Sequence, residues 1–183
     1  MANHVYTNFT FENISSEGAE FLDDIFGSEE EGYVFEKVYG EYEPTREWMT
    51  ENVSAKWCYF EEPFYNEKDR VYTVTAISAW DAPHDFMTEL FGKVLSLSDK
   101  VDMFCTFEDE MPNFIGVYSL SHTGAEVNEY VEQENYELVL GCPHWDSEID
   151  EEHEEWWDSL SEYFNNVKTE FRVSIRVMEE ENR

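Results

Sequence analysis

The chain has 183 residues, and its 43 acidic residues against 11 lysines and arginines give a formal net charge of -32 at pH 7. Contacts with phosphates need lysine and arginine, so this charge argues against direct binding to nucleic acid or to an anionic membrane. Aromatic residues make up 17% of the chain, which excludes an acidic disordered tail and predicts a protein with a buried core.

The first part of the chain predicts short strands and helices in alternation. Period-two alternation predicts a strand over residues 5–13, with every second residue from Val5 on one face. A helix follows, with a serine N-cap at Ser15 or Ser16 and with Gly27 at its C-terminus. The next elements are predicted as a strand over 33–39, a helix over 44–52 with Trp48 facing inward, a strand over 55–60 and a turn over 63–69.

Residues 70–124 predict the unit around which the rest of the chain is organised. The pattern predicts a strand over 70–80, a helix over 81–95 with Asp81 as its N-cap, and strands over 101–107 and 114–122. This β-α-β-β order is the central portion of a ferredoxin-like sheet. The predicted fold class is therefore α+β: a ferredoxin-like antiparallel sheet with helices packed on one face, elaborated by an acidic C-terminal helix and strand.

The last third of the chain predicts that elaboration. A short helix over 125–132 and a strand over 136–140 precede a helical stripe formed by Ile149, His153, Trp156, Leu160 and Phe164. One domain is expected over residues 1–183, with 141–183 as its acidic C-terminal part. A final strand is predicted over 171–177, with Phe171, Val173, Ile175 and Val177 facing inward.

Four short motifs follow one another through residues 1–124: Met1-Ala2-Asn3 with Phe26-Gly27, Asn52 to Trp57, Ser78-Ala79-Trp80-Asp81-Ala82-Pro83, and Glu110 to Gly116. In their order and spacing they resemble the YubB-like family, plasmid- and phage-encoded proteins with a ferredoxin-like domain. The second motif keeps the family's Asn52, Lys56 and Trp57 but lacks its middle Trp and Gly. The resemblance implies a ferredoxin-like fold and a mobile-element origin, and it implies no particular chemistry.

Several residues in these motifs also predict structure. Trp57 and Trp80 are expected to anchor the core, because indole side chains bury a large apolar area. Gly116 falls within a predicted strand, where glycine indicates a bulge or close packing.

The strongest functional indication is the distribution of acidic residues. Nine acids and no lysine or arginine lie between Asp146 and Glu162, and seven more acids lie between Glu17 and Glu31. On a helix, carboxylates three and four residues apart lie ~5–6 Å from each other, close to the spacing of phosphates along a nucleic acid strand. Such clusters on a rigid scaffold can occupy the basic groove of an enzyme. The predicted contacts are Glu148, Glu151, Glu152, Glu155, Asp158 and Glu162, joined by Glu29, Glu30 and Glu31.

The predicted function is that of a phage- or plasmid-encoded protein that binds and inhibits a basic nucleic-acid-handling host protein by nucleic-acid mimicry. The alternative is a non-enzymatic interaction or structural protein whose acidity serves solubility or oligomer assembly. No direct contact with nucleic acid or membrane is expected in either case, and the oligomeric state is left open.

Catalytic and metal chemistry is less well indicated. Cys142, His144 and His153 lack the spacing of a zinc site, and no phosphate-binding loop, nucleophile elbow or nucleotide fingerprint occurs. No catalytic residue, cofactor or metal is therefore predicted. The three cysteines are expected to be reduced thiols in a cytoplasmic protein that has no signal peptide and no transmembrane segment.

Overall fold

The computed structural model describes residues 3–111, 113–141 and 154–182. Six strands and six α-helices occur in these ranges, with a 3-10 turn at Gln133–Asn135. The strands are β1 (His4–Glu12), β2 (Cys58–Asn66), β3 (Val71–Ala79), β4 (Asp102–Asp109), β5 (Phe114–Ser121) and β6 (Glu126–Glu132). The helices are α1 (Ser16–Phe26), α2 (Tyr33–Tyr39), α3 (Arg46–Val53), α4 (His84–Leu97), α5 (Tyr136–Leu140) and α6 (Glu154–Glu181).

The strands form one antiparallel sheet in the order β2-β3-β1-β4-β5-β6. β1 lies inside the sheet, where Phe9 is opposite Val74 of β3 and Cys105 of β4. The predicted α+β class with an antiparallel sheet is confirmed. The strands predicted over 5–13, 70–80, 101–107 and 114–122 are present as β1, β3, β4 and β5.

Helices α1 to α4 cover one face of the sheet and enclose the main core. The Ser15 hydroxyl accepts a hydrogen bond from the Gly18 amide at 3.0 Å and begins α1 as predicted. Leu22 of α1 and Leu90 of α4 are fully buried against Phe9 and its neighbours on β1. The alternation of β1 therefore faces the core as its sequence predicts.

Helix α6 covers β4, β5 and β6 on the opposite face. Phe104 points to this face because its neighbours Met103 and Cys105 belong to the main core. Helices α1 to α4 therefore share one face, whereas the C-terminal helix α6, for which no face was predicted, lies on the other. The buried stripe of α6 consists of Trp156, Leu160, Val167, Phe171 and Ile175.

The strand predicted over 171–177 is wrong, because these residues continue α6. Phe171 and Ile175 are four residues apart and extend the helical stripe, whereas Val173 is 52% exposed and Val177 48% exposed. Phe171, Val173, Ile175 and Val177 alternate in the sequence, but the helical period places only Phe171 and Ile175 on the buried stripe of α6.

Two further elements in the first half of the chain differ from their predictions. Residues 33–39 form α2 rather than a strand, because Val34 and Val38 meet the core at helical spacing between left-handed Gly32 and Gly40. The turn predicted over 63–69 begins later, at residue 67, since β2 continues to Asn66 past an irregularity between Glu61 and Phe64.

The helix predicted over 125–132 and the strand predicted over 136–140 are both wrong, and their types are exchanged. β6 is a strand because it pairs with β5 along its length and places Val131 under α6. Residues 136–140 form α5, which buries Tyr136 against Trp156 and ends at left-handed Gly141.

Trp80 is not a core anchor, because it is 54% exposed in a left-handed backbone conformation, and Trp57 is only half-buried. Asp81 is not the N-cap of α4, since Pro83 holds that position.

Cys58 and Cys105 are buried free thiols, as predicted, and burial raises the pKa of each. No helix among the described residues is long and apolar enough to cross a membrane. The predictions for Cys142, His144, Ile149 and His153 lie outside the described residues.

Glu12 at the end of β1 links α6 to the sheet. Its Oε1 lies 2.7 Å from Lys168 Nζ and 2.8 Å from Arg172 Nη2. Burial by itself raises the pKa of Glu12, but the hydrogen bonds and charges of Lys168 and Arg172 outweigh it and lower that pKa. Ionised Glu12 therefore stabilises the fold above its unfolded-state pKa, and this stability is lost as the pH falls through the folded-state pKa.

Replacing Glu12 by glutamine should lower the free energy of unfolding by about 1 kcal/mol at pH 7, since solvent screens part of the interaction with half-exposed Arg172. Urea denaturation measures this difference, which should shrink as the pH falls below the ordinary glutamate pKa of about 4.3. The control is Glu170→Gln, which changes an exposed glutamate of α6. An equal loss in both variants would contradict the role given to Glu12.

Candidate interaction surface

The outer surface of α1, α2, α3 and their connecting turns is densely acidic. Residues 16–53 contain twelve acids and two cations, Lys37 and Arg46, and all twelve acids are exposed. We call these twelve residues the helix-layer acidic surface. They are Glu17, Glu20, Asp23, Asp24, Glu29, Glu30, Glu31, Glu36, Glu41, Glu43, Glu47 and Glu51.

The packing of α1 forces its acids outward. Its apolar stripe buries Ala19, Leu22 and Ile25, which leaves the acidic positions on the opposite side. Glu17 and Glu20 are three residues apart, and Glu20 and Asp24 are four apart, so their carboxylates follow one another along the helix. α1 therefore presents a ridge of negative charge.

Few described groups neutralise this surface. The Tyr33 hydroxyl donates a hydrogen bond to Asp24 Oδ2 at 3.0 Å, and Lys37 Nζ lies 4.9 Å from the centre of the Tyr33 ring. No ion pair between any of the twelve acids and a lysine, arginine or histidine is found within the described ranges. The charge is consequently available to a partner.

Sequence reasoning identified only part of this surface. Glu29, Glu30 and Glu31 lie exposed in the turn between α1 and α2, as the predicted contact requires. Glu36 was missed because residues 33–39 were predicted as a strand, which concealed that α2 continues the acidic layer beside α1. The i, i+1 and i+4 spacing of the apolar residues Val34, Phe35 and Val38 was the signal that could have revealed a helix here.

The acids predicted on the late helix are described only in part. Asp158 and Glu162 are exposed on α6 and four residues apart, whereas Glu155 lies in the helix without a described side chain. Between Glu162 and Met178 the helix is less acidic, because Lys168, Arg172 and Arg176 accompany one acid there, Glu170. Three glutamates follow at 179–181, at the end of the helix. Glu148, Glu151 and Glu152 lie outside the described residues.

The described members of the two predicted sets of contacts lie on opposite faces of the sheet. Glu29, Glu30 and Glu31 belong to the layer of α1 to α4, whereas Asp158 and Glu162 belong to α6 on the other side. One flat partner surface therefore cannot contact both sets at once.

The chemistry of the site is that of exposed negative charge. No group of three or more His, Cys, Asp or Glu side chains that could hold a metal ion is found in the part of the chain that the structure describes. A cavity of about 490 Å³ beside the helix-layer acidic surface is lined in part by aromatic residues, among them Phe35, Tyr42 and Trp57.

Comparisons with protein-family models, with curated proteins and with solved structures found no match for this chain, so its kinship with the YubB-like family stays a prediction.

Proposed function

We propose that this protein binds a basic, nucleic-acid-handling protein through the helix-layer acidic surface and inhibits it by occupying its nucleic-acid site. The observation that carries the proposal is the exposure of all twelve acids in a stretch with two cations. Carboxylates held ~5–6 Å apart on a helix offer a partner's lysines and arginines an array comparable with a phosphate backbone. Such a mimic needs geometry and no catalytic residue.

The density of like charge supports a functional role for this surface. Like charges at helical spacing destabilise a helix by a few tenths of a kcal/mol per pair, and the net charge adds self-repulsion to the whole fold. Solubility alone needs a much smaller net charge, of magnitude about 2–8 for a small domain. A cost to stability that brings no further solubility favours selection for binding.

The late-helix acids form a second proposed contact on the other face. Asp158 and Glu162 lie on the exposed side of α6, and Glu155 precedes Asp158 by three residues in the sequence. A partner that wraps around the edge of the sheet, or a second partner molecule, reaches this set. The resemblance to plasmid- and phage-encoded proteins supports a host-cell partner and a cytoplasmic site of action.

We further propose that the scaffold is ferredoxin-like over β1 to β4. The chain passes from β1 through helices to the hairpin β2–β3, then through α4 to β4, and the strands lie in the order β2-β3-β1-β4. This order and the two helices α1 and α4 on one face support a β-α-β-β-α-β arrangement. In this proposal β5, β6, α5 and α6 are additions to it.

Reversing charge on the helix layer should abolish capture of the partner. The variant Glu20→Lys, Glu29→Lys and Glu36→Lys changes one exposed acid in each of α1, the turn and α2, and should reduce capture from a bacterial lysate at least tenfold. The protein captured by the unmodified chain should be displaced by added DNA and should be released as salt rises, because screening weakens contacts between exposed charges.

The matched control reverses three exposed acids elsewhere: Glu67→Lys, Asp99→Lys and Glu126→Lys, with the same change in net charge. This control should retain capture. Equal losses in both triple variants would show a response to total charge, and undiminished capture by the helix-layer variant would refute the assignment. Asp158→Lys combined with Glu162→Lys tests the second contact separately.

The alternative of oligomer assembly is favoured by one observation. The edge strand β2 exposes Tyr59 and Phe64, two large apolar side chains on a strand with an unpaired edge. Self-association that is indifferent to DNA, detected by analytical ultracentrifugation across salt concentrations, would favour this alternative over mimicry.

A further inference from the structure

A cavity of about 250 Å³ lies between the first turns of α6 and the face of the sheet. Three of its seven lining residues are aromatic and three are acidic. A second cavity of about 180 Å³ shares Tyr6, Glu108 and Trp157 with the first, so the two adjoin along α6. The first cavity is lined by Tyr6, Glu108, Asp109, Glu110, Ile115, Trp156 and Trp157.

The register of three strands brings these side chains together. Tyr6 of β1 is the partner of Glu108 on β4, and Ile115 of β5 is the partner of Glu108 on its other side. The three side chains therefore form a row on the face that α6 covers. Trp156 is buried at one end of this row, whereas Trp157 is 44% exposed and borders the opening.

Glu108 differs from the two acids that follow it. The Asp109 carboxylate accepts a hydrogen bond from the Asn113 side chain, and Glu110 accepts from the His4 backbone and ring nitrogens. No hydrogen bond or ion pair to the Glu108 carboxylate is found among the described residues. Burial raises the pKa of Glu108, because the ionised carboxylate loses more hydration free energy on burial than the neutral acid does.

We propose that this cavity binds the guanidinium of an arginine side chain from a basic protein partner, held against the aromatic walls and paired with the Glu108 carboxylate. A cation over the face of tryptophan or tyrosine is attracted by the ring, and partial desolvation strengthens that attraction. The planar guanidinium also stacks on aromatic rings and meets a carboxylate with two donors, which the ammonium of lysine does not.

The size and position of the cavity fit this ligand. A volume of about 250 Å³ is below the range of ~300–1,000 Å³ that holds drug-sized ligands, and it suits one inserted side chain. Arginine is enriched among the residues that contribute most of the binding energy at protein interfaces, and such residues lie in well-packed, desolvated pockets. The cavity adjoins the second proposed contact, because its lining residue Trp157 directly precedes Asp158 in α6. The inference rests on the proposed function only in taking the partner to be a protein.

The test is a titration of the whole chain with N-acetyl-L-argininamide, followed by the indole N–H signals of Trp156 and Trp157 in NMR spectra. We expect saturable binding in the millimolar range, weaker binding of N-acetyl-L-lysinamide, and none of N-acetyl-L-citrullinamide, which is neutral and nearly the same shape. No saturable binding of the arginine probe, or equal binding of the citrulline probe, would overturn the proposal.

The variants locate the site. Glu108→Gln and Trp157→Ala should each weaken binding of the arginine probe at least fivefold. The control Glu170→Gln removes the same charge from an exposed residue of α6 that does not line the cavity, and it should change the affinity less than twofold. Equal weakening by Glu108→Gln and Glu170→Gln would overturn the proposal, since it would reflect net charge.

The stability of Glu108→Gln provides a second readout. A raised folded-state pKa means that stability is lost as the pH rises through that pKa, so removing the charge should raise the melting temperature at pH 7 and leave it unchanged at low pH. A lower melting temperature at pH 7 would overturn the premise that this carboxylate lacks a partner. The probe is independent of any captured protein, so the cavity and the proposed function can fail separately.

Discussion

Replacing Phe171 by alanine should lower the free energy of unfolding by about 3–5 kcal/mol, the range for large aromatic truncations in a core. Phe171 is almost fully buried between Phe104 of β4 and the neighbouring stripe residues of α6. Few other residues fill the core between α6 and the sheet, so neighbouring side chains cannot close the cavity that alanine leaves. Urea denaturation measures the loss, which is a large share of a typical total stability of about 5–15 kcal/mol.

The matched control for Phe171→Ala is Val173→Ala. Val173 lies two residues away and is largely exposed on the helix, so its truncation should change stability by less than about 0.5 kcal/mol. In a strand over 171–177 both side chains would face inward and both truncations would be costly. Comparable losses in the two variants would therefore contradict the helical assignment of this segment.

Replacing Gly116 by alanine should also destabilise the protein strongly, by about 3 kcal/mol. A β-carbon at this position of β5 would overlap the Phe107 ring and the carbonyl oxygen of Glu129 on β6. The carbonyl belongs to a paired backbone and cannot move aside without breaking the ladder between β5 and β6. Thermal denaturation should show a melting temperature lower by several degrees.

Gly92 of α4 provides the control for Gly116→Ala. Nothing lies within 4 Å of a β-carbon built at Gly92, and alanine is favoured over glycine inside a helix by about 1 kcal/mol. Gly92→Ala should therefore raise stability while Gly116→Ala lowers it. A neutral result for Gly116→Ala would show that β5 and β6 separate easily.

The cavity between α6 and the sheet and the helix-layer acidic surface depend on different parts of the fold. The acidic layer needs only that α1 and α2 bury their apolar stripes, so any stable packing of these helices exposes the charge. The cavity needs the register of three strands and the packing of α6 on the sheet, which bring Trp157 and Glu108 into the lining of one cavity. Mutations that loosen α6, such as Phe171→Ala, should therefore weaken arginine binding more than they weaken contacts of the acidic layer.

Local patterns were sufficient where an element's own residues decide its form. The strand at β1 follows from strict alternation and the start of α1 from a serine cap, and both are present. The alternation of β3 and the apolar spacing of α4 were read in the same way. In each case the buried face is complete within one segment, so no distant residue changes the outcome.

The sequence by itself determined the charge, the presence of a core, the α+β class and the central strands. Only the tertiary structure decided the type of the elements around residues 125–140 and 171–177, where short segments fit either a helix or a strand. Residues 126–132 form strand β6 because they pair with β5. Residues 171–177 are helical because Phe171 and Ile175 bury apolar surface on the face of the sheet opposite α1 to α4. Pairing and burial between distant segments contribute more free energy than the weak local preferences of a few residues, and this is the physical reason for the difference.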